Sequence, residues 1–198
     1  MPAIWGFVTD FGDSAVTMPL ALLTLVFLTA AGRQRLALGW VLTIGGCAAG
    51  IAVLKLIFGA CGSLVPIASI TSPSGHTAMS AAVYGSLALL IGGRLQLSGR
   101  AALNIVAWLA IVGIALSRVV LHEHTPAEVL VGLIVGGGAI AISRPIIGRE
   151  EPPPGLPLGW LMLGGIAVIA IMHGTRWAIE PSLHRLAVDF RLALPWCR

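Results

Sequence analysis

Six apolar runs of about 20 residues constrain this chain more than any other feature. They lie at 15–31, 36–58, 76–92, 101–121, 127–147 and 157–173. The chain has 57% hydrophobic and 10% charged residues and a mean hydropathy of +0.96, whereas soluble domains carry roughly 25% charged residues. Because no period-2 alternation indicates a barrel, we predict an all-α bundle of six transmembrane helices, in one domain over 1–198.

The basic residues predict how the bundle is oriented. Arginines lie in the connections after the first, third and fifth runs: Arg33, Arg35, Arg94, Arg100, Arg144 and Arg149. Helices of alternating direction place these connections on one side, which is expected to be cytoplasmic. Since the arginines form no stripe, the net charge of +4 does not indicate nucleic-acid binding. No lysine or arginine precedes the first run, so we expect that run to be retained and not cleaved as a signal peptide.

The residues after the last run predict a further helix on the opposite side. Pro181 can open it, and its apolar residues share one stripe: Leu183, Leu186, Ala187, Phe190 and Leu194. With Trp177 and Trp196 flanking it, an interfacial amphipathic helix is expected, and a frayed tail is the alternative. Cys61 and Cys197 fall on this same side, which leaves a disulfide between them open.

A first polar island, Ser72–Thr77, leads into the third apolar run. Ser74 is placed to cap the helix, and Gly75 lets a ligand approach the backbone closely. A helix N-terminus, with its free amides and positive dipole end, is suited to binding an anion. The simpler alternative is a capped turn beside an interfacial His76, and this island alone does not decide between them.

A second polar island follows the fourth run, which ends at Ser117–Arg118. His124 and Glu128 come next, four residues apart, so they share one helical face. Glu128 can then accept from one ring nitrogen and leave the other as a nucleophile. Thr125–Glu128 also fits a capping box, and the two roles are compatible. His122 lacks a carboxylate four residues on and is expected to be an interfacial neighbour.

Together the islands resemble the second and third signature motifs of the type 2 phosphatidic acid phosphatase (PAP2) superfamily, P-S-G-H and S-R-x5-H-x3-D. This sequence reads P-S-G-H at 73–76 and S-R-V-V-L-H-E-H-T-P-A-E at 117–128. The resemblance implies that His124 attacks phosphorus to form a phosphohistidine, that His76 protonates the leaving oxygen, and that Glu128 replaces the family's aspartate. It further implies no metal or cofactor and a set of phosphate-binding residues: Lys55, Ser74, Gly75 and Arg118.

The first family signature, K-x6-R-P, is only partly present. Lys55 matches its lysine, but Gly62 and Ser63 stand at the arginine and proline positions. One phosphate-binding cation is therefore absent, and we hypothesise that Arg176 or Arg185 supplies it. For Lys55 itself, the structural alternative is a side chain that extends along the helix end to the membrane interface.

The sequence thus predicts a membrane phosphatase that hydrolyses a phosphomonoester or pyrophosphate of a lipid at the extracytoplasmic leaflet. We expect a multi-pass protein of the bacterial inner membrane, with its site facing the periplasm and its core motifs at 55–128. Its expected partners are the lipid substrate and membrane lipids; the oligomeric state is left open. The alternatives are a lipid phosphotransferase and a catalytically weakened lipid-binding or transport protein. An intramembrane serine protease using Ser74 does not account for Lys55 and Arg118.

Overall fold

The computed structural model describes residues 2–61, 70–93, 95–147, 158–177 and 179–193, and this part of the chain is all helical. The helices, in chain order, are α1 (Pro2–Asp10), α2 (Ser14–Ala30), α3 (Gln34–Cys61), α4 (Gly75–Gly92), α5 (Leu97–Val120), α6 (Pro126–Ile147), α7 (Leu158–Met172) and α8 (Ile179–Ala193). Helices α2 to α7 coincide with the six predicted runs to within a few residues at each end. The all-α prediction is therefore confirmed for the described residues.

Four helical stretches among these residues are long and apolar enough to cross a membrane. They are Ala3–Ala30, Gln34–Cys61, Leu97–Val120 and Pro126–Ile146. Helix α7 has only 15 residues, and α4 carries the polar residues His76, Ser80 and Ser86, so neither belongs to this set. Several membrane-type helices are thus present, whereas the prediction of six crossings is not confirmed.

Helix α4 lies at the centre of the bundle, where it packs against α2, α3, α5 and α6. Its contact with α6 is close enough to require glycine. A Cβ atom at Gly132 would lie 2.6 Å from the carbonyl oxygen of Ser74, and one at Gly136 would meet the carbonyl of Ala78. Small residues allow helix backbones to approach in this way. The P-S-G-H turn is therefore pressed directly against α6.

The bundle is apolar on the outside as well as inside. Leu109 on α5 and Ile171 on α7 are 67% and 72% exposed, as expected for side chains that face lipid. In the interior, Trp40 is buried and its indole N–H donates to the carbonyl of Ala21 at 2.9 Å. The hydroxyl of Thr24 likewise donates to a helix carbonyl, so this polar group is satisfied without water.

Two helix ends use the same turn, in which the second residue after the helix is left-handed. After α2 this residue is Gly32, with φ +71°, and Arg33 N–H donates to the Leu28 carbonyl at 2.8 Å. After α5 it is His122, with φ +57°, and Glu123 N–H donates to the Arg118 carbonyl at 3.1 Å. This Schellman geometry normally takes glycine. The second turn stops α5 and directs the chain toward His124.

Two elements at the chain ends bear on the site. Helix α1 was not predicted; it packs against α5, and the chain turns at Gly12 into α2. Helix α8 confirms the predicted tail helix and packs against α3, where Ala187 is buried against Gly59. Leu186 and Phe190 of the predicted stripe are exposed, so the face toward the bundle is narrower than expected. Leu194, Trp196 and Cys197 lie outside the described residues.

Candidate active site

The P-S-G-H turn forms the N-terminus of α4. Ser74 is fully buried, and its Oγ accepts the N–H of Thr77 at 3.4 Å, which confirms the predicted cap. The N–H of Ser74 donates to the main-chain carbonyl of Glu128 at 3.1 Å, which joins the turn to α6. The amides of Gly75 and His76 come at the helix start, where a helix supplies no acceptor of its own. Such amides can bind an anion.

His124 lies in the turn between α5 and α6 with a carboxylate against its ring. Its Nδ1 is 3.1 Å from Oε2 of Glu128, so Nε2 is the ring nitrogen that can attack. Burial lowers the pKa of His124; the Glu128 hydrogen bond raises it, and the charges of Arg118 and Lys55 lower it. The net lowering of the pKa favours a neutral, nucleophilic imidazole at neutral pH.

Glu128 is bonded on both carboxylate oxygens. Oε1 accepts the N–H and the hydroxyl of Thr71, both at 2.8 Å, and the N–H of Ser72 at 2.7 Å. Oε2 accepts the N–H of Thr125 at 3.0 Å, while the Thr125 hydroxyl accepts the N–H of Glu128, which completes a capping box. The carboxylate therefore caps α6 and contacts His124 at the same time. The predicted cap is confirmed, and the role of Glu128 in orienting His124 stays a prediction.

Lys55 is buried near the end of α3, with 6% of its surface exposed. Its Nζ donates to Oγ of Ser72 at 3.0 Å, in the same turn that Glu128 holds. A Cβ atom at Gly75 would lie 3.6 Å from Cε of Lys55, so the lysine stem lies beside the start of α4. Lys55 is thus buried and directed toward the turn that precedes α4.

Arg118 closes α5 and fixes the backbone of the turn that follows. Its main-chain carbonyl accepts the N–H groups of Glu123 at 3.1 Å and His124 at 3.2 Å. Its guanidinium donates to the Thr9 hydroxyl at 3.1 Å, with Oε2 of Glu123 at 3.8 Å. The arginine side chain is 11% exposed and so brings a largely buried positive charge beside His124.

A cavity of about 180 Å³ opens beside Lys55, Gly75 and His76. Asp13 and Ser14 also line it. The remaining lining is apolar and comes from α2, α3, α4, α8 and the segment between α7 and α8: Met18, Ala48, Ile51, Ala52, Met79, Trp177, Ile179 and Leu183. A cavity with both charged and apolar lining residues suits an amphiphile.

Comparison with known proteins decides the family. Residues 58–151 match the PAP2 superfamily. The chain is also 30% identical over 169 residues to an uncharacterized 22.5 kDa protein in the cps region of Klebsiella pneumoniae, an alignment that covers 85% of this chain and 79% of that protein. This chain belongs to the PAP2 superfamily. No solved structure matches it significantly.

The PAP2 match contains the second and third motifs and begins just after Lys55. Of the predicted site residues, Lys55, Ser74, Glu128 and His124 belong to one hydrogen-bonded network through the 71–74 turn. Gly75 lies beside Lys55, and His76 lines the same cavity as both. Arg118 is bound to this group through the backbone of His124.

The cation missing from the first PAP2 motif has no assigned replacement. Gly62 and Ser63 lie outside the described residues. Arg176 is 66% exposed and pairs with Asp10 at 3.2 Å, and Arg185 is exposed on α8. That either arginine completes the phosphate site therefore stays a hypothesis. The Cys61–Cys197 pair also stays a prediction, because Cys197 is not among the described residues.

Four residues around the PAP2 motifs were not predicted as part of the site. Thr71 and Ser72 bind Glu128, Thr9 binds Arg118, and Asp13 contacts His76, with 3.4 Å between Oδ2 and Nε2. Thr71 and Ser72 immediately precede the P-S-G-H motif, so their position in the sequence could have indicated that they belong to the site. Thr9 and Asp13 reach the site only through the fold, from more than 60 residues away along the chain.

Proposed function

We propose that this PAP2 protein is a membrane phosphatase that hydrolyses a phosphomonoester or pyrophosphate of a lipid at the extracytoplasmic leaflet. His124 is the nucleophile, His76 is the general acid, and Glu128 orients His124. The phosphate oxygens are held by four residues: Lys55, Ser74, Gly75 and Arg118. Phosphoryl transfer needs mainly positioning and positive charge around the equatorial oxygens, and these residue types supply both.

The reaction proceeds in two steps. Nε2 of His124 attacks phosphorus, the bond from phosphorus to the leaving oxygen breaks, and that oxygen takes a proton from His76. Glu128 holds the Nδ1–H of the developing phosphohistidine. In the second step water attacks phosphorus, gives its proton to His76, and releases inorganic phosphate while the P–N bond breaks and His124 is restored.

The observation that supports this proposal most strongly is the position of Glu128. One carboxylate contacts the nucleophile His124 and also binds Thr71 and Ser72, in the turn that receives Lys55. The nucleophile, a phosphate-binding cation and the start of α4 are therefore built as one unit. A helix cap alone needs only the bonds to Thr125.

The cavity and the family support a lipid substrate. A phosphate at Lys55 and His76 would leave its hydrophobic portion beside Met18, Ile51 and Met79. We further propose that six helices cross a bacterial inner membrane, with the arginine-bearing connections in the cytoplasm and this site facing the periplasm. A headgroup then reaches the site from the outer leaflet while its chains stay in the bilayer.

The test is release of inorganic phosphate by purified protein from a panel of lipid phosphates and pyrophosphates. We expect turnover by the parent, its loss in His124→Ala, and a partial loss in His76→Ala. Acid-labile, base-stable labelling of the parent by radioactive substrate is expected for a phosphohistidine. Phosphate appearing on a second lipid instead of in water would indicate a phosphotransferase. Lipid binding without turnover of any panel member would indicate a binding or transport protein.

A further inference from the structure

Asp13, in the turn between α1 and α2, uses its two carboxylate oxygens differently. Oδ1 accepts the N–H of Ala15 at 2.8 Å, which caps α2, and the N–H of Trp177 at 3.4 Å. Oδ2 lies 3.4 Å from Nε2 of His76. Only 5% of the residue is exposed. Since a cap requires one oxygen, the second is available to the imidazole.

Packing against α4 fixes the position of this turn. His76, Ser80 and Tyr84 are four residues apart and share one face of α4. The Tyr84 hydroxyl donates to the Phe11 carbonyl at 2.5 Å, and a Cβ atom at Gly12 would lie 2.9 Å from Oγ of Ser80. The turn therefore fits closely onto this face, which places the carboxylate opposite the imidazole.

The connection between α7 and α8 covers this contact. His173 donates its Nε2–H to the Phe7 carbonyl at 3.0 Å, and Arg176 pairs with Asp10. The backbone of Trp177 then bonds to the Asp13 carboxylate, and its side chain lines the cavity beside His76. The carboxylate is thus held in a fixed, buried position, where its charge acts strongly on a neighbour.

We infer that Asp13 is a positioning residue for His76, an inference that rests on the proposed phosphatase function. Its Oδ2 accepts the Nε2–H of the imidazolium, which fixes the ring and leaves the proton on Nδ1 to be given to the leaving oxygen as the phosphorus–oxygen bond breaks. After transfer, His76 is neutral and keeps its Nε2–H toward Asp13. The site then contains two carboxylate–histidine pairs, one for the nucleophile and one for the acid.

The test compares two substrates that differ in their need for an acid. An alkyl phosphate leaves as a strongly basic alkoxide and needs a proton, whereas 4-nitrophenyl phosphate leaves as a weakly basic phenolate and does not. Asp13→Asn keeps the helix cap, because asparagine caps as well as aspartate, and removes the charge. We expect kcat/KM for the alkyl phosphate, which reports the step in which the leaving group departs, to fall at least about 10-fold and at most by the roughly 10²–10⁴-fold that a general acid contributes. With 4-nitrophenyl phosphate, kcat/KM should change less than about 2-fold.

Matched variants keep the inference open to refutation. Asp189→Asn makes the same change at an exposed position on α8 and should affect neither substrate. Asp13→Ser, a second capping residue, should behave as Asp13→Asn. Adding Asp13→Asn to His76→Ala should cause no further loss. Equal losses on both substrates, or additive losses in the double variant, would show a structural role and overturn the inference. Phosphate release by His124→Ala at the rate of the parent would instead overturn the proposed function.

Discussion

His124 gives the proposed mechanism a measurable pH signature. Neutral His124 is the reactive form, so kcat/KM should rise with pH through the pKa of this group. Since the positive charge of Lys55 lowers the pKa of His124, Lys55→Met should raise it and move the acidic limb of the profile to higher pH. Loss of a charged phosphate contact of about 1.5–3 kcal/mol should also lower kcat/KM about 10- to 100-fold.

The control for this profile is Arg191→Met, which removes an exposed positive charge from the last turn of α8. Its acidic limb should coincide with that of the parent. The ionisation of the substrate is the same for all three proteins, so any difference between their profiles belongs to the enzyme. An unmoved limb in Lys55→Met would contradict the electrostatic account of His124.

His122 tests the distinction between the two neighbouring histidines. Its left-handed backbone is unfavourable for a residue with a Cβ atom, so His122→Gly should raise the free energy of unfolding by up to about 1 kcal/mol. His122→Ala retains the Cβ atom and should show no such gain. Thermal unfolding in detergent measures both. Loss of phosphatase activity in both variants would mean that the imidazole has a chemical role after all.

Whether a contact in the site could be predicted from the sequence depends on how far apart its two residues lie along the chain. The spacing of His124 and Glu128 predicted their contact, because a helical turn brings positions four apart together. The pattern around Ser74 predicted its cap for the same local reason. Asp13 and Thr9 could not be assigned from the sequence. Asp13 contacts His76 only once the α1–α2 turn packs on α4, and Thr9 contacts Arg118 only once α1 packs on α5. The sequence therefore predicted contacts between residues a few positions apart, but not contacts between distant segments.

At the scale of helices, hydrophobicity predicted which segments are helical but not how closely they approach. Helices α3 and α6 both contain adjacent glycines, a composition that favours close helix packing. Gly136 does contact α4 closely, but a Cβ atom at Gly45 or Gly46 would meet nothing within 4 Å. Glycine content does not indicate which face of a helix contacts its neighbour. That face is known only from the assembled bundle. Helix α1 was missed because Phe11–Asp13 interrupts an otherwise continuous apolar stretch.

The contact between α4 and α6 predicts that Gly132→Ala is damaging. The added methyl group would lie 2.6 Å from the carbonyl oxygen of Ser74, so the P-S-G-H turn must move away from α6. We expect a loss of about 1–3 kcal/mol in stability together with reduced kcat. Gly138→Ala, on the same helix with open space around its Cβ, is the control and should behave as the parent. Equal behaviour of the two variants would contradict this packing.

At the scale of the whole molecule, the cavity predicts a chain-length effect. Ala52 lines the cavity, whereas Val53, the next residue on α3, is 53% exposed on the outside. Ala52→Trp should fill the space among the apolar lining residues and lower kcat/KM for a long-chain lipid phosphate about tenfold, which corresponds to about 1.4 kcal/mol. Activity on 4-nitrophenyl phosphate should be retained. Val53→Trp should change neither activity, and a long-chain substrate indifferent to Ala52→Trp would argue against this route.

The central position of α4 limits where substitutions can alter the substrate preference of such a protein. A helix in contact with α2, α3, α5 and α6 has little room to shift without disturbing the whole bundle. Helices α7 and α8 are peripheral, yet the segment joining them supplies part of the cavity wall. Selection for a new lipid can therefore act on this outer segment and leave the phosphate-handling groups untouched. We expect laboratory evolution toward altered headgroup or chain preference to accumulate its substitutions there.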